Sequence, residues 1–269
     1  MYETYEMLLI ERRGGVLVVT MNNPPLNPMT PRLHYELSTI FRDIQRDDET
    51  KVVVLTGAGR AFSAGGNINS LIKGLDDQER WQRGIREIRE IIFGMLDCSK
   101  PIIGRINGHA MGLGSSLAVL CDITFAVKEA KIADTHIKLG LVPGDGGALM
   151  WPMLMGLPRA MEYLLTGDVL TGEKAAEFGL FNHAVTADEL DARVFELADR
   201  LAASPARAVQ MTKQAIALQR NRMVKDLLEG HLGLETLTHL DPDHREAAHA
   251  FRDKREPVFG QGHGVTSDD

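Results

Sequence analysis

Three stretches of this chain hold the residue types best suited to chemistry. Two are glycine-flanked: Ala61-Phe62-Ser63-Ala64-Gly65-Gly66-Asn67-Ile68 and, about fifty residues later, Asn107-Gly108-His109-Ala110-Met111-Gly112-Leu113-Gly114-Ser115-Ser116. Each follows an apolar β-like run, Val52-Val53-Val54-Leu55 and Ile102-Ile103, and each leads into a helical pattern. A helix start leaves backbone N–H groups unpaired, and these favour negative charge. Two such starts facing one pocket would form an oxyanion hole, whose donors are each worth roughly 3–4 kcal/mol of transition-state stabilisation. The third stretch runs from Asp134-Thr135-His136 to Pro143-Gly144-Asp145. His136 titrates near neutrality and can give or take a proton. Gly140 and Pro143-Gly144 predict a turn that returns Asp145 to His136. An aspartate there would fix the imidazole tautomer and stabilise its protonated form. The bland alternative is a His136 that lines a pocket passively and an Asp145 that caps a helix. Ser116, in Gly114-Ser115-Ser116-Leu117-Ala118, lies near a nucleophile-elbow pattern. It would complete a triad with His136 and Asp145, or simply cap a helix.

The elements that must position these residues read as strands alternating with helices, an α/β architecture. Val16-Leu17-Val18-Val19 and Ile123-Thr124-Phe125-Ala126-Val127 join the two apolar runs as strands. Leu33, Leu37, Ile40, Phe41 and Ile44 share one face of a helix over 31–44, with Thr30 as N-cap and Pro31 at its first position. Helical patterns follow over 190–203, 205–220 and 224–240. The segment 70–97 is ambiguous, because Gly74 and Gly84 interrupt a helical pattern that carries Trp81. The tail from Gly260 lacks apolar periodicity, which predicts mobility.

Composition narrows the function classes. Thirty basic against thirty-seven acidic residues give a net charge of −7, which argues against a nucleic-acid partner. Two cysteines, Cys98 and Cys121, are too few for a disulfide framework and suit a reducing compartment. The polar N-terminus reads as no signal peptide, and no apolar run reaches the roughly 18–20 residues of a membrane span. A cytoplasmic protein without membrane contact is the expectation. No metal-ligand spacing is evident: His244 and His249 share a helix face poorly, and His231, His239 and His263 read as solvated. Gly57-Ala58-Gly59-Arg60-Ala61-Phe62 begins like a dinucleotide fingerprint, but its sixth position is phenylalanine.

The order and spacing of several landmarks resemble the crotonase superfamily, also called the enoyl-CoA hydratase/isomerase family. They are Asn23-Pro24-Pro25-Leu26-Asn27-Pro28-Met29, Leu55-Thr56-Gly57, the Ala61–Ile68 stretch, Lys100-Pro101, Cys121-Asp122-Ile123 and Gly140-Leu141-Val142-Pro143-Gly144. The resemblance runs from about residue 16 to residue 259. It implies a spiral of ββα units over residues 1–200 and a C-terminal helical trimerisation segment over 201–269, hence a homotrimer or homohexamer. It implies an acyl-CoA substrate, with coenzyme A arriving as part of that substrate and no separate cofactor. The oxyanion donors would be the N–H groups of Gly66 and Leu113, the latter where the family pattern often has glycine. Substrate contacts would come from Asn27, Ala64, Asn67 and Ile68, from Trp81 in the lid, and from Phe251 and Lys254 near the adenine. A charged outer face on the last helix competes for those last two residues.

The departures from the pattern matter equally. Typical hydratases carry two glutamates opposite the oxyanion hole, and alignment puts Ser116 and His136 at those positions. The His136-to-Asp145 spacing, followed by Trp151-Pro152, resembles the oxocamphor hydrolase branch, which cleaves carbon–carbon bonds of β-diketones by adding water. The expected function is water addition to an enoyl-CoA with His136 and Asp145 as acid and base. Carbon–carbon cleavage of a β-dicarbonyl, double-bond isomerisation and non-catalytic acyl-CoA binding stand as alternatives.

Overall fold

The structure, a computed structural model, describes residues 1–260. Its β-branched runs become strands: Leu8–Arg13 (β1), Val16–Met21 (β2), Val52–Gly57 (β3), Ala61–Ser63 (β4), Ile102–Ile106 (β5), His109–Met111 (β6), Ile123–Val127 (β7), Lys131–Ala133 (β8), Leu170–Thr171 (β9) and His183–Val185 (β10). The helices are Pro31–Arg46 (α1), Ile68–Gly74 (α2), Gln78–Asp97 (α3), Leu113–Leu120 (α4), Gly147–Met155 (α5), Leu157–Thr166 (α6), Gly172–Glu177 (α7), Leu190–Ala203 (α8), Ala206–His239 (α9) and Pro242–Asp253 (α10). A 3₁₀ turn spans His136–Leu139.

The strands form two sheets, ordered β1-β2-β3-β5-β7-β10 and β4-β6-β8-β9. Three successive units, β3-β4, β5-β6 and β7-β8, each place one strand in the large sheet and the next in the small one before the chain turns helical. That repetition is the spiral of ββα units. β3 is buried along its whole length, as a parallel strand covered on both faces must be. Leu17, Val19, Val53 and Leu55 face a core shared with α1 and α3, whereas Val16, Val18, Val52 and Val54 face Leu190, Val194 and Ala198 of α8.

The small sheet positions the site. Ser63 pairs with Ala110, and Ala110 with Ile132, all in parallel. The residues that follow these strands, beginning at Ala64, Gly112 and Asp134, therefore emerge at one edge.

Helix α1 starts where sequence chemistry places it, with the Thr30 hydroxyl accepting from Leu33 N–H. The ambiguous 70–97 segment resolves into the end of α2, a short connection and all of α3, which buries Ile91, Ile92, Met95 and Leu96. The patterns over 205–220 and 224–240 fuse into one helix of 34 residues, α9. Asn221, Arg222 and Met223 contain no helix breaker, and Asn221 is held to Leu96 O at 2.9 Å. Residue 200 falls inside α8, which packs on the large sheet, so the core continues past the expected boundary. Among the described residues no helix is long and apolar enough to cross a membrane.

Candidate active site

The two glycine-flanked loops meet edge to edge. Gly65 has φ +76°, and a Cβ there would lie 2.4 Å from Met111 O, so only glycine permits this approach. Gly112 carries the left-handed backbone of the second loop at φ +50°. Leu113 follows it as the first residue of α4 without positive φ, which is why leucine is accepted where glycine is common. The N–H groups of Gly66 and Leu113 have no acceptor in the backbone network of the described residues. Space beside Gly66 is open to 4 Å. These are the features of a preformed anion site.

Asn27 builds the first loop from beneath. Its side chain is fully buried and donates to Ala58 O, Ala61 O and Phe62 O, while its Oδ1 accepts from Asn23 N–H. Ser63 Oγ donates to Asn27 O and accepts from Gly65 N–H. The Asn27 side chain thus serves the loop through both its donors and its acceptor. The Ala64 N–H is likewise bonded to Leu26 O. Asn67 caps α2 through Ser70 N–H, and Ile68 is half-buried as the first residue of that helix.

Asp134 leaves β8, and His136 opens the 3₁₀ turn two residues later. The His136 ring lies between two carboxylates, Nδ1 at 2.6 Å from Asp134 Oδ1 and Nε2 at 3.3 Å from Asp145 Oδ2. Ser116 Oγ donates to the other Asp145 oxygen at 2.7 Å. The predicted return of the chain therefore brings Asp145 to His136. Gly147 makes room for it, because a Cβ there would lie 2.0 Å from Asp134 Oδ2. A Cβ on Gly112 would lie 3.9 Å from His136 Cε1, so the ring stands beside the second glycine-flanked loop. The nucleophilic triad is not assembled. Ser116 is fully buried and aims its proton at Asp145, so it orients the carboxylate rather than bonding His136. The ligand atoms of Asp134, His136 and Asp145 crowd within 4.8 Å. The carboxylates address opposite nitrogens of one ring, and in this state the three form a hydrogen-bonded relay.

The environment drives these groups apart in pKa. Burial disfavours the His136 imidazolium, but the charges of Asp145 and Asp134 and their hydrogen bonds outweigh it, holding the ring well above its usual range. Burial pushes Asp145 up, yet the His136 charge and bonds from His136, Ser116 and Gly147 bring it below the usual carboxylate range. Glu235 of α9 joins the cluster unannounced by any motif. Burial pushes its carboxyl up to about 8, with Asp145 and Asp134 adding to the effect and His136 opposing it. Its Oε2 is buried without a partner, against Gly144. At neutral pH the site holds an imidazolium, an ionised Asp145 and a neutral Glu235.

Trp81 does not face solvent freely. Its ring stacks on His239 at 3.7 Å, and its Nε1 donates to Thr236 Oγ1 at 3.1 Å. His239 and His244 are buried and His231 half-buried, so the solvated reading of His231 and His239 is corrected: α9 packs against α3 and α10. Phe251 and Lys254 lie exposed at the end of α10. His263 and the tail beyond residue 260 fall outside the described residues. The dinucleotide alternative fails on context, since β3 runs through Gly59 into another strand and not into a helix.

The sequence matches the enoyl-CoA hydratase/isomerase family over residues 11–262. The chain belongs to this family. It is 32% identical to the 1,2-epoxyphenylacetyl-CoA isomerase of Escherichia coli K12, covering 94% of this chain and 98% of that one. A solved enoyl-CoA hydratase/isomerase from Mycobacterium paratuberculosis is 34% identical with a TM-score of 0.88, covering 92% of this chain and 99% of that one. A β-diketone hydrolase from the cyanobacterium Anabaena sp. PCC 7120, solved with (S)-3-oxocyclohexyl acetic acid, is 31% identical with a TM-score of 0.83, covering 89% and 96%. The protein is thus an enzyme of the crotonase superfamily whose polar relay is built on a histidine.

Proposed function

We propose that the enzyme adds water to an enoyl-CoA thioester, with Asp145 as base, His136 as acid, and the thioester oxygen held by the N–H groups of Gly66 and Leu113. The observation that carries this reading is the contact between His136 and Asp145, 3.3 Å apart with pKa values driven in opposite directions. Such a pair divides acid and base roles at one pH. Asp145 takes a proton from water as the oxygen bonds to the β-carbon. The electron pair moves to the thioester oxygen as an enolate, and the paired amides stabilise that charge. The His136 imidazolium then protonates the α-carbon. Proton return from Asp145 to His136 restores the starting state. General acid–base catalysis of this kind contributes about 10²–10⁴-fold.

A second reading, hydrolytic cleavage of a β-dicarbonyl, is favoured by the likeness to the β-diketone hydrolase. There Asp145 takes a proton from water as the water oxygen bonds to a ketone carbonyl. The bond from that carbon to the α-carbon breaks to leave a carboxylic acid and an enolate. The imidazolium protonates the enolate carbon, and proton return from Asp145 to His136 restores the starting state. Coenzyme A enters only as part of the substrate in the first reading, with Phe251 and Lys254 offering an exposed aromatic and a cation to the adenine end. Assembly as a homotrimer or homohexamer is supported by Ile216, Leu218, Leu234 and Leu237, which leave apolar side chains exposed along α9.

The test is product mass spectrometry on enoyl-CoA and β-dicarbonyl panels in heavy-oxygen water, with His136→Ala as control. A labelled hydroxyacyl-CoA lost in the variant establishes the hydratase. Label in a cleaved carboxylate establishes the second reading instead. Acyl-CoA binding without turnover on any member would favour a binding protein over both.

A further inference from the structure

Leu139 closes the 3₁₀ turn that His136 opens. Its carbonyl accepts a hydrogen bond from Nδ1 of His244 at 2.6 Å. His244 sits in the first turn of α10 and is fully buried. The fit is close. Gly140 adopts φ +65°, and a Cβ there would come within 3.1 Å of the His244 backbone, so α10 seats on the turn only over a glycine. On its other side the His244 ring lies 5.1 Å from that of His239, which stacks on Trp81 with an interplanar angle of 2°. Arg245 adds an ion pair to Asp76 between α2 and α3. A continuous column of side chains therefore runs from the lid helix α3, through α9 and α10, to the turn that carries the catalytic imidazole.

We propose that His244 is a positioning residue: its hydrogen bond to the Leu139 carbonyl sets His136 between Asp134 and Asp145 and ties that placement to the Trp81 lid. The groups facing it are His136 and the Leu139 carbonyl on the turn, His239 on α9, the N-cap Asp241, whose carbonyl accepts from His244 N–H, and Asp243 and Arg245 on α10 itself. Burial lowers its pKa, and Arg245 and His136 add to this against the opposing bond to Leu139. A neutral ring donates from Nδ1 and leaves the buried Nε2 without a partner, as observed. It adds no second cation beside the His136 imidazolium.

The kinetic consequence rests on His136 acting as proposed above, whereas the structural content does not. The experiment therefore reads His136 directly, by nitrogen-15 NMR titration of its imidazole in the full-length protein, beside steady-state kinetics. His244→Leu removes the donor while keeping an apolar filling. His244→Asn keeps an N–H donor at the place of Nδ1. The expected result is a displaced His136 titration in H244L, with kcat reduced on the order of tenfold to a hundredfold and KM within about twofold. H244N restores most of both. Gly140→Ala, which presses on the same contact from the turn side, displaces the titration likewise and serves if H244L does not fold. A folded H244L or G140A with an unchanged His136 titration overturns the proposal. So does an H244N as impaired as H244L. A displaced titration without turnover on any substrate panel would leave His244 positioning intact and count against the hydratase reading alone.

Discussion

Asp145→Asn removes the charge that most favours the His136 imidazolium while keeping the shape of the side chain. At 3.3 Å and an effective dielectric of about 20, the lost attraction is about 5 kcal/mol. Asp134 still holds Nδ1 at 2.6 Å, so the ring keeps one anionic partner and an oriented tautomer. The expected outcome is a lower His136 pKa in D145N than in the wild type. The acid form of His136 is then lost at lower pH, so the basic limb of the pH–rate profile moves to lower pH and the residual rate falls. Folding stability follows the same sign. A raised histidine pKa stabilises the fold fully below the unfolded value near 6.5 and ceases to do so as pH rises through the folded value. D145N should therefore narrow the pH range over which the histidine stabilises the protein. Imidazole NMR titration with urea unfolding at pH 5.5 and 8.5 measures both effects. A His136 pKa unchanged or raised in D145N would refute the reasoning, because it would mean that the carboxylate does not govern the ring.

Two further substitutions probe the surroundings. Glu235→Gln should stabilise the protein at pH 7 by about 3 kcal/mol, since an unfolded glutamate releases a proton above about 4.5 that the folded chain retains; the folded carboxyl is held at about 8. The gain should vanish below pH 4, where both states are protonated, and equal gains at pH 4 and pH 7 in denaturant melts would count against a neutral buried Glu235. Gly65→Ala should cost more than about 2 kcal/mol and abolish turnover, because its Cβ meets Met111 O and its φ is positive. Gly66→Ala meets nothing within 4 Å and should melt within a few degrees of the wild type; two variants of equal stability would show that the loops do not abut.

Several features of this protein are set by short-range chemistry and were legible without a structure. Thr30 and Pro31 start α1, and residues 190–203 form α8, because caps and helical periodicity act within a few residues. The meeting of His136 with Asp145 is nearly local as well, since Gly140 and the Pro143-Gly144 pair turn the chain between them. Family landmarks pointed to the two glycine-flanked loops, and the glycines at 65 and 112 show why they pack. Other features exist only because distant segments pack together. Asp134 stood in the same motif, yet its bond to Nδ1 depends on the side to which the 3₁₀ turn directs the ring. Glu235 carries no local signal: it becomes a neutral acid only because α9 buries it beside Gly144 and the relay. Asn27 is conspicuous in the sequence, but only the folded chain brings three carbonyls of a loop some thirty residues on to its side-chain amide. His239 reads as a solvated histidine until Trp81 of α3 and His244 of α10 close around it. Caps, turns and periodicity follow from neighbouring residues, whereas burial and charge coupling, and hence protonation, depend on distances that only the folded chain defines.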